Sequence, residues 1–419
     1  MSGSGELAPV APSGAPRAIL ADITPLRRPD YRRLWAGTTV SVIGSQLTIV
    51  TVQIQVYAET RSSFDVGLIG LAGLAGLVGF GFVGGAVADS HDRRRVAMLT
   101  SSLLTLCSGA LAAQAGWHVR AVWVVYLLVF AISALSAIDQ PTRGAIVPRL
   151  LPPSELRAGN ALAQISMSVG FTVGPLLAGL LVSQVGAFAA YLADAGSFLV
   201  ALYAIWRLPP VPPLGEAPRA GFRSVGEGLR FLRSKPVLYM TFLVDINAMV
   251  FGMPRALFPA LAGSFFHGGA GVVGLLNAAP AVGALVGGVL SGVLVRVRRQ
   301  GLAVLVAVAV WGAAVTGFGF SRSLPVGLLL LVVAGAADLV SAVFRNTILQ
   351  VLTPDALRGR LQGVFIVVVA GGPRLGDVEA GSVAALVSPA FSVVSGGLAC
   401  IVGVVALGLA VPAFARYRG

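Results

Sequence analysis

Charge is what this chain has least of. Only 11% of its 419 residues are Asp, Glu, Lys or Arg, against about 25% in a soluble globular domain. An ordinary water-exposed surface cannot be built from that. Lysine is almost missing, since Lys235 is the only one and every other basic residue is arginine. Cysteine is nearly as scarce. Cys107 and Cys400 each sit inside an apolar run, and two such thiols form no disulfide framework. The three histidines fall into no His/Cys spacing of a metal centre. No glycine-rich loop ends in Lys-Ser or Lys-Thr, so a nucleotide cradle is not expected. No nucleophile stands beside a base, so neither an enzyme nor a cofactor is expected. The first thirty residues are rich in Ala, Pro, Gly and Ser and lack a long apolar core. A cleavable signal peptide is therefore not expected, and the first apolar span would serve as the targeting element.

What the chain has is apolar length. Apolar residues make up 56%, glycine contributes 53 residues, and mean hydropathy is +0.87. A helix needs about 20 mostly apolar residues to cross a bilayer. Twelve windows satisfy this: 34–57, 66–88, 96–117, 121–142, 159–183, 187–207, 237–262, 270–294, 301–320, 326–348, 362–387 and 391–413. The expected fold is an all-α membrane protein of twelve transmembrane helices in two six-helix bundles. The bundles cover 34–207 and 237–413. A tail (1–33), a linker (208–236) and a short C-terminal tail (414–419) complete the chain.

Arginine placement sets the orientation. Alternate connections hold Arg93–Arg95, Arg149 and Arg157, Arg219 to Lys235, Arg296 to Arg299, and Arg358 and Arg360. Arg27, Arg28, Arg32, Arg33, Arg416 and Arg418 flank the same side, whereas the opposite loops hold Arg61, Arg120 and Arg322. Both termini are therefore expected in the cytoplasm, and the protein in the inner or plasma membrane. The formal charge of +13 is this asymmetry, not a nucleic-acid surface. The linker begins Pro-rich and continues with Phe222, Val225, Leu229 and Leu232 near helical spacing, which predicts a helix lying on the membrane.

Two features repeat. "RGAIVPRLLPPSELR" from Arg143 returns as "RNTILQVLTPDALR" from Arg345, and "GGAVADSHDRRR" is echoed by "SGVLVRVRRQG". Both periods are close to ~200 residues, which argues for two halves of like topology with the substrate path between them. The second charged loop lacks the aspartate, so the halves are not equivalent.

Twelve spans, a six-plus-six repeat and an acidic-then-basic loop after the second span resemble the major facilitator superfamily. Its signature in that loop is matched by Gly85, Val87, Ala88, Asp89, Arg93 and Arg94, with Ser90 in place of an arginine and Asp92 in place of a glycine. The missing glycine predicts a less permissive turn. In the fifth span "GFTVGPLLAG" matches the motif of proton-driven exporters at Gly170, Gly174, Pro175 and Gly179, with Ala178 replacing a glycine. "IDQPTRGAIVPRLLPPSELRAGNALAQ", "GLRFLRSKPVL", "FGMPRALFPALA" and "TPDALRGRLQGV" resemble the siderophore-exporting (enterobactin) branch from about residue 25 onward. The resemblance implies a proton-coupled antiporter exporting an amphipathic small molecule, such as a catecholate siderophore. A multidrug or macrolide exporter is the alternative within transport. A membrane sensor or a lipid translocase on the same scaffold is the alternative outside it. The partners expected are substrate, protons and lipid, around a monomer.

Ionisable residues inside spans are functional candidates by default. Asp377, Asp245, Asp194, Arg374 and Glu379 are the candidates for proton coupling. Arg374 and Asp377 are spaced to pair, Asp245 has Arg255 ten residues on, and Asp194 has no obvious partner. Gly371, Gly372, Pro373 and Gly376 predict a loosened eleventh span. The resemblance makes Gly85, Asp89, Arg93 and Arg94 a cytoplasmic latch between the halves. Asp139 with Arg143, and Asp338 with Arg345, share helix faces and are either structural ion pairs or part of that latch. Gln46, Gln53, Asn247 and Phe251 are candidates for the substrate cavity, with Gln55, Phe171 and Tyr203 behind them. Positive-inside topology explains the loop arginines but not Asp89, because acidic residues contribute little to orientation. Asp89→Asn is therefore expected to leave membrane insertion and expression unchanged while strongly reducing efflux. Wild-type efflux from that variant would remove Asp89 from the latch.

Overall fold

The computed structural model describes residues 22–212, 230–289 and 297–418, and within them leaves aside the side chains of 82–83, 85–86, 88–89 and 355–367. Among the described residues there are twelve helical spans, eleven of which are long and apolar enough to cross a membrane. They are Pro29–Thr60, Ser63–Ser90, Arg93–Gly116, Val122–Leu150, Leu156–Gln184, Ala187–Trp206, a seventh in two pieces (Pro236–Phe251 and Phe258–Ser264), Ala270–Val289, Gln300–Phe320, Leu324–Leu352, Asp355–Leu386 and Pro389–Ala410. Gly85 and Asp89 lie in the second helix, with side chains outside the described set. Most of the linker, including Phe222, Val225 and Leu229, and most of the second charged loop also lie outside it.

Helix ends follow local chemistry. Ser62 caps the second span by accepting from Asp65 N at 3.2 Å, and Ser388 caps the twelfth by accepting from Phe391 N at 3.2 Å. Pro29, Pro236 and Pro389 open their helices, where the missing N–H costs nothing. At the arginine-rich end Arg28 pairs with Glu155 at 2.8 Å, tying the start of the first span to that of the fifth. Hydrogen bonding from Arg28 holds the Glu155 carboxyl below its ordinary range.

The expectation of a loosened eleventh span is corrected. The eleventh helix runs unbroken through Pro373, because its glycines serve close packing instead of flexibility. A Cβ on Gly372 would stand 2.9 Å from Met249 Cβ, and one on Gly376 3.0 Å from Val250 O. The break falls in the seventh span, at Gly252–Pro254. Pro254 cannot donate, and the freed backbone groups find other partners. Trp311 Nε1 donates to Gly252 O at 2.9 Å, and Ala256 N donates to Asp377 Oδ1 at 3.1 Å. Irregular backbone at membrane depth survives only with such replacements.

The halves pack alike. Spans 1 and 6, 1 and 5, 2 and 4, and 3 and 6 are neighbours in the first, and 7 and 12, 7 and 11, 8 and 10, and 9 and 12 in the second. Two seams join them, span 2 on span 11 and span 5 on span 8. Both are backbone contacts made by glycine. A Cβ on Gly70 would lie 2.7 Å from Arg374 O, and one on Gly381 2.6 Å from Ser63 O. In the other seam, a Cβ on Gly179 would meet Ala270 O at 2.9 Å, and one on Gly274 would meet Gly179 Cα at 3.0 Å. These contacts lie toward the arginine-poor ends of the spans. Nearer the arginine-rich end, a cleft of about 490 Å³ separates spans 5 and 8.

The fifth-span motif divides its work. Gly179 faces span 8, while Gly170 and Gly174 face span 1. A Cβ on Gly174 would stand 2.6 Å from Gln46 Cβ and 2.8 Å from Ile43 O, so even alanine forces the first helix to move. Gly174→Ala is expected to cost about 1–3 kcal/mol from overpacking, and Gly174→Leu to prevent recovery of folded protein. Gly109→Ala, whose Cβ meets nothing within 4 Å, is the control. Thermal unfolding of purified protein checks this, and equal melting of Gly174→Ala and the control would refute it.

Candidate functional site

The intramembrane charges gather in two groups. The larger is in the second half. Arg345 pairs directly with Asp245 across from span 10 to span 7, and its Nη2 lies 3.7 Å from Asp338 Oδ1. Asp245 is 2% exposed and Arg345 4%. Arg255, at the break of the seventh span, lies within electrostatic reach of both Asp338 and Asp377. It shares a small cavity of about 30 Å³ with Asp338, Trp311 and Pro280, room for a water. Three carboxylates and the guanidiniums of Arg345 and Arg255 thus form a ladder from the arginine-rich side toward the arginine-poor end.

Several pairings differ from the sequence spacing. Asp245 pairs with Arg345 instead of Arg255, because Arg255 lies beyond the helix break. Arg374 and Asp377 form no ion pair within 4.0 Å. The Arg374 Nη1 turns back to Ala370 O at 3.1 Å, while Asp377 accepts from Ala256 N. Asp377 sits where span 11 meets span 2, its Cβ 3.0 Å from where a Gly70 Cβ would be. Glu379 is half-buried, with no cation within 4.0 Å among the described residues.

The first half surrounds one of its acids with hydroxyls and pairs the other with an arginine. Asp194 is 1% exposed and, contrary to expectation, well partnered. Thr48 and Ser108 each donate to Oδ2 at 2.7 Å, and Ser197 to Oδ1 at 3.3 Å. Gly44 leaves the room this needs, since a Cβ there would stand 2.5 Å from Asp194 Oδ1. Asp139 and Arg143 are 2.6 Å apart. Thr100 donates to Asp139 at 2.7 Å, and Arg143 donates to Ser101 and Ser41 at 3.1 and 3.3 Å. All these partners belong to the same half. Thr48, Ser108 and Ser197 escaped the sequence reading, because hydroxyls scattered over three helices carry no spacing signal. So did a further network in which Gln55 donates to Glu59 and Gln114 at 2.7 and 2.8 Å and accepts from Tyr191 at 2.7 Å.

The charged loop also has a local explanation. Asp92 caps the third span, accepting from Arg94 N at 2.9 Å. Its φ of −60° requires no glycine, which corrects the expectation of a hindered turn. Arg93 N donates to Val211 O at 3.1 Å. In this conformer the Arg94 side chain donates to Trp206 O at 2.5 Å, capping the sixth span of its own half.

The predicted cavity residues are mostly occupied elsewhere. Asn247 donates to Cys400 O at 2.9 Å, so it joins spans 7 and 12 instead of facing a cavity. Gln46 packs on Gly174. Gln53 is buried, its Oε1 without a hydrogen-bond partner. Phe251 is partly exposed at the helix end.

Residues 20–416 match the profile of a family described as transmembrane secretion effectors. The chain is 28% identical over 396 residues to the enterobactin exporter EntS of Citrobacter koseri, covering 93% of this chain and 94% of that one. It has the same identity and coverage with EntS of Shigella boydii serotype 18. Among solved structures, it is similar to a bacterial homologue of the human lysosomal transporter Spinster in an inward-facing, unoccupied conformation. That likeness has TM-score 0.71 and 18% identity, over 94% of this chain and 97% of that one. A bacterial homologue of the iron transporter ferroportin, inward-facing, gives TM-score 0.70 and 17% identity over 92% and 98%. At these identities the structures speak for the fold.

Removing one member of a buried ion pair leaves a charge without compensation, at about 3–5 kcal/mol. Arg345→Met is expected to destabilise the protein by that amount, because Asp245 and Asp338 both lose their nearest cation. The double variant Asp245→Leu/Arg345→Met is expected to recover part of the loss. Thermal unfolding in detergent reads both, and an Arg345→Met protein as stable as wild type would contradict the pairing.

Proposed function

The chain belongs to the transmembrane secretion effector family, within the major facilitator superfamily, and is a multi-pass membrane transporter; from this premise we propose that it exports an amphipathic small molecule in exchange for protons. The observation that carries the coupling is the place of Asp377. It stands in the seam between the halves and holds the broken seventh span through Ala256 N. Separating span 11 from span 2 must change its surroundings, so proton binding there is linked to opening. Asp245 is the competing assignment, but Arg345 covers it. Asp194 is the third, enclosed by hydroxyls within one half. Arg374 and Glu379 lie on the same helix as Asp377 and shape its field.

Orientation completes the reading. With the arginine-rich end in the cytoplasm, the seams close the outer side and the cleft opens inward, the state that collects cargo for export. Gly85, Asp89, Arg93 and Arg94 then belong to the cytoplasmic closure of the opposite state, in which Asp139–Arg143 and Asp338–Arg345 stiffen the moving helices. The curated relatives are named as enterobactin exporters, which makes a catecholate siderophore the first substrate to test.

Inverted membrane vesicles with an acidic interior and iron-free enterobactin provide the test. Wild-type protein is expected to accumulate the compound, and Asp377→Asn to abolish gradient-driven accumulation while downhill exchange persists. If Asp377→Asn keeps uphill transport and Asp245→Asn loses it, coupling belongs to the seventh span. Retention by both, and by Asp194→Asn, would sink proton coupling through these carboxylates.

A further inference from the structure

The cleft between spans 5 and 8 is lined mainly by span 5, with Leu285 from span 8. Ile165, Val169 and Val173 make one stripe of that lining, and Gln164, Ser168 and Thr172 make the next. At 100° per residue these are adjacent stripes on one helix. The apolar stripe continues into Leu176 and Leu180, which are exposed where the protein meets lipid. The polar stripe continues into Pro175 and Gly179, which touch span 8 at the arginine-poor end. The cleft is therefore the open part of a seam, with lipid on one side and the join between the halves on the other.

Gln164 and the Ser168 hydroxyl make no hydrogen bond to protein among the described residues, whereas Thr172 donates to Ser168 O at 2.9 Å. Gln164 is exposed and Ser168 half-buried, so both polar groups are accessible to a ligand in the cleft. No ionisable residue lines the cleft, and its volume suits a small organic ligand. We propose that this cleft is a lateral portal that binds an uncharged amphiphile arriving from the cytoplasmic leaflet, with aromatic or aliphatic surface on Ile165, Val169, Val173 and Leu285 and hydroxyl or amide groups on Gln164 and Ser168. A charged compound finds no counter-ion there. The proposal rests on the export reading but not on how export is energised.

The test measures binding separately from transport. Full-length protein in lipid nanodiscs is titrated with labelled iron-free enterobactin. Leu285→Trp, which fills the cleft, is expected to weaken binding at least about tenfold. Gln164→Ala/Ser168→Ala, at positions outside the packed core, is expected to weaken it several-fold. Gly109→Ala, whose Cβ meets nothing within 4 Å, is the control and is expected to bind like wild type. If both cleft variants bind within twofold of wild type, the cleft is only a lipid-filled closing surface and the portal is overturned. If wild-type protein does not bind enterobactin, the siderophore assignment fails. The same variants are then read with N-phenyl-1-naphthylamine, a neutral aromatic amphiphile. Weaker binding of that probe supports the portal, and unchanged binding overturns it.

Discussion

Backbone must touch backbone for this protein to hold together. Lipid chains are as apolar as the helices, so burial of leucine and valine gives no drive for one span to seek another. What remains is dispersion over closely fitted surfaces, and glycine makes the fit possible. Gly67, Gly70 and Gly381 bring spans 2 and 11 together, and Gly179 and Gly274 bring spans 5 and 8 together. Both seams lie toward one end. Everything that distinguishes that end from the other follows: the closed arginine-poor side, the cleft toward the arginine-rich side, and the place of Asp377 in the seam between spans 2 and 11.

The two halves share a topology and both pair a buried acid with an arginine, Asp139 with Arg143 and Asp245 with Arg345, but only the first encloses an acid in hydroxyls. In the first, Asp194 is surrounded by Thr48, Ser108 and Ser197, hydroxyls that donate without adding charge. In the second, Arg345 and Arg255 supply cations from neighbouring spans. A hydroxyl cage is local and moves with its half. A charge ladder that crosses spans 7, 10 and 11 is sensitive to any shift among those helices, because a guanidinium between two carboxylates can favour either. The second half is thus the better suited to transmit a change of protonation into a change of shape.

Much of the fold was legible in the sequence because lipid imposes a simple rule on length and polarity. All twelve spans appear near their expected places, and the repeat in "RGAIVPRLLPPSELR" does reflect two like-packed halves. The fourth span outran its window to Leu150 because Pro141 and Pro148 sit within a helix that membrane packing sustains. The site was less legible. Spacing along one helix found Asp139 with Arg143, but it could not find Asp245 with Arg345, which are brought together from two spans. Glycine was misread in the eleventh span, where Gly372 and Gly376 look like a loosening signal and act as contact points. Asn247 looked like a cavity residue until its amide was seen to bind Cys400 O.

The location of the broken helix ties these strands together. A continuous eleventh span carries Asp377 as part of a rigid rod. The seventh span, interrupted at Gly252–Pro254, is where backbone can bend without breaking a ladder of hydrogen bonds. Trp311 holds one side of the break and Asp377 the other, one by a ring N–H that cannot ionise and one by a carboxylate that can. Of the two contacts, only the one to the carboxylate involves a group whose charge can change. Ala256, just past the break, packs with Val52, Val56 and Val66 of the first half, so a change at the carboxylate contact reaches the other bundle directly. A proton on Asp377 would weaken a charge-assisted acceptor for Ala256 N and loosen a hydrogen bond that joins the seventh and eleventh helices.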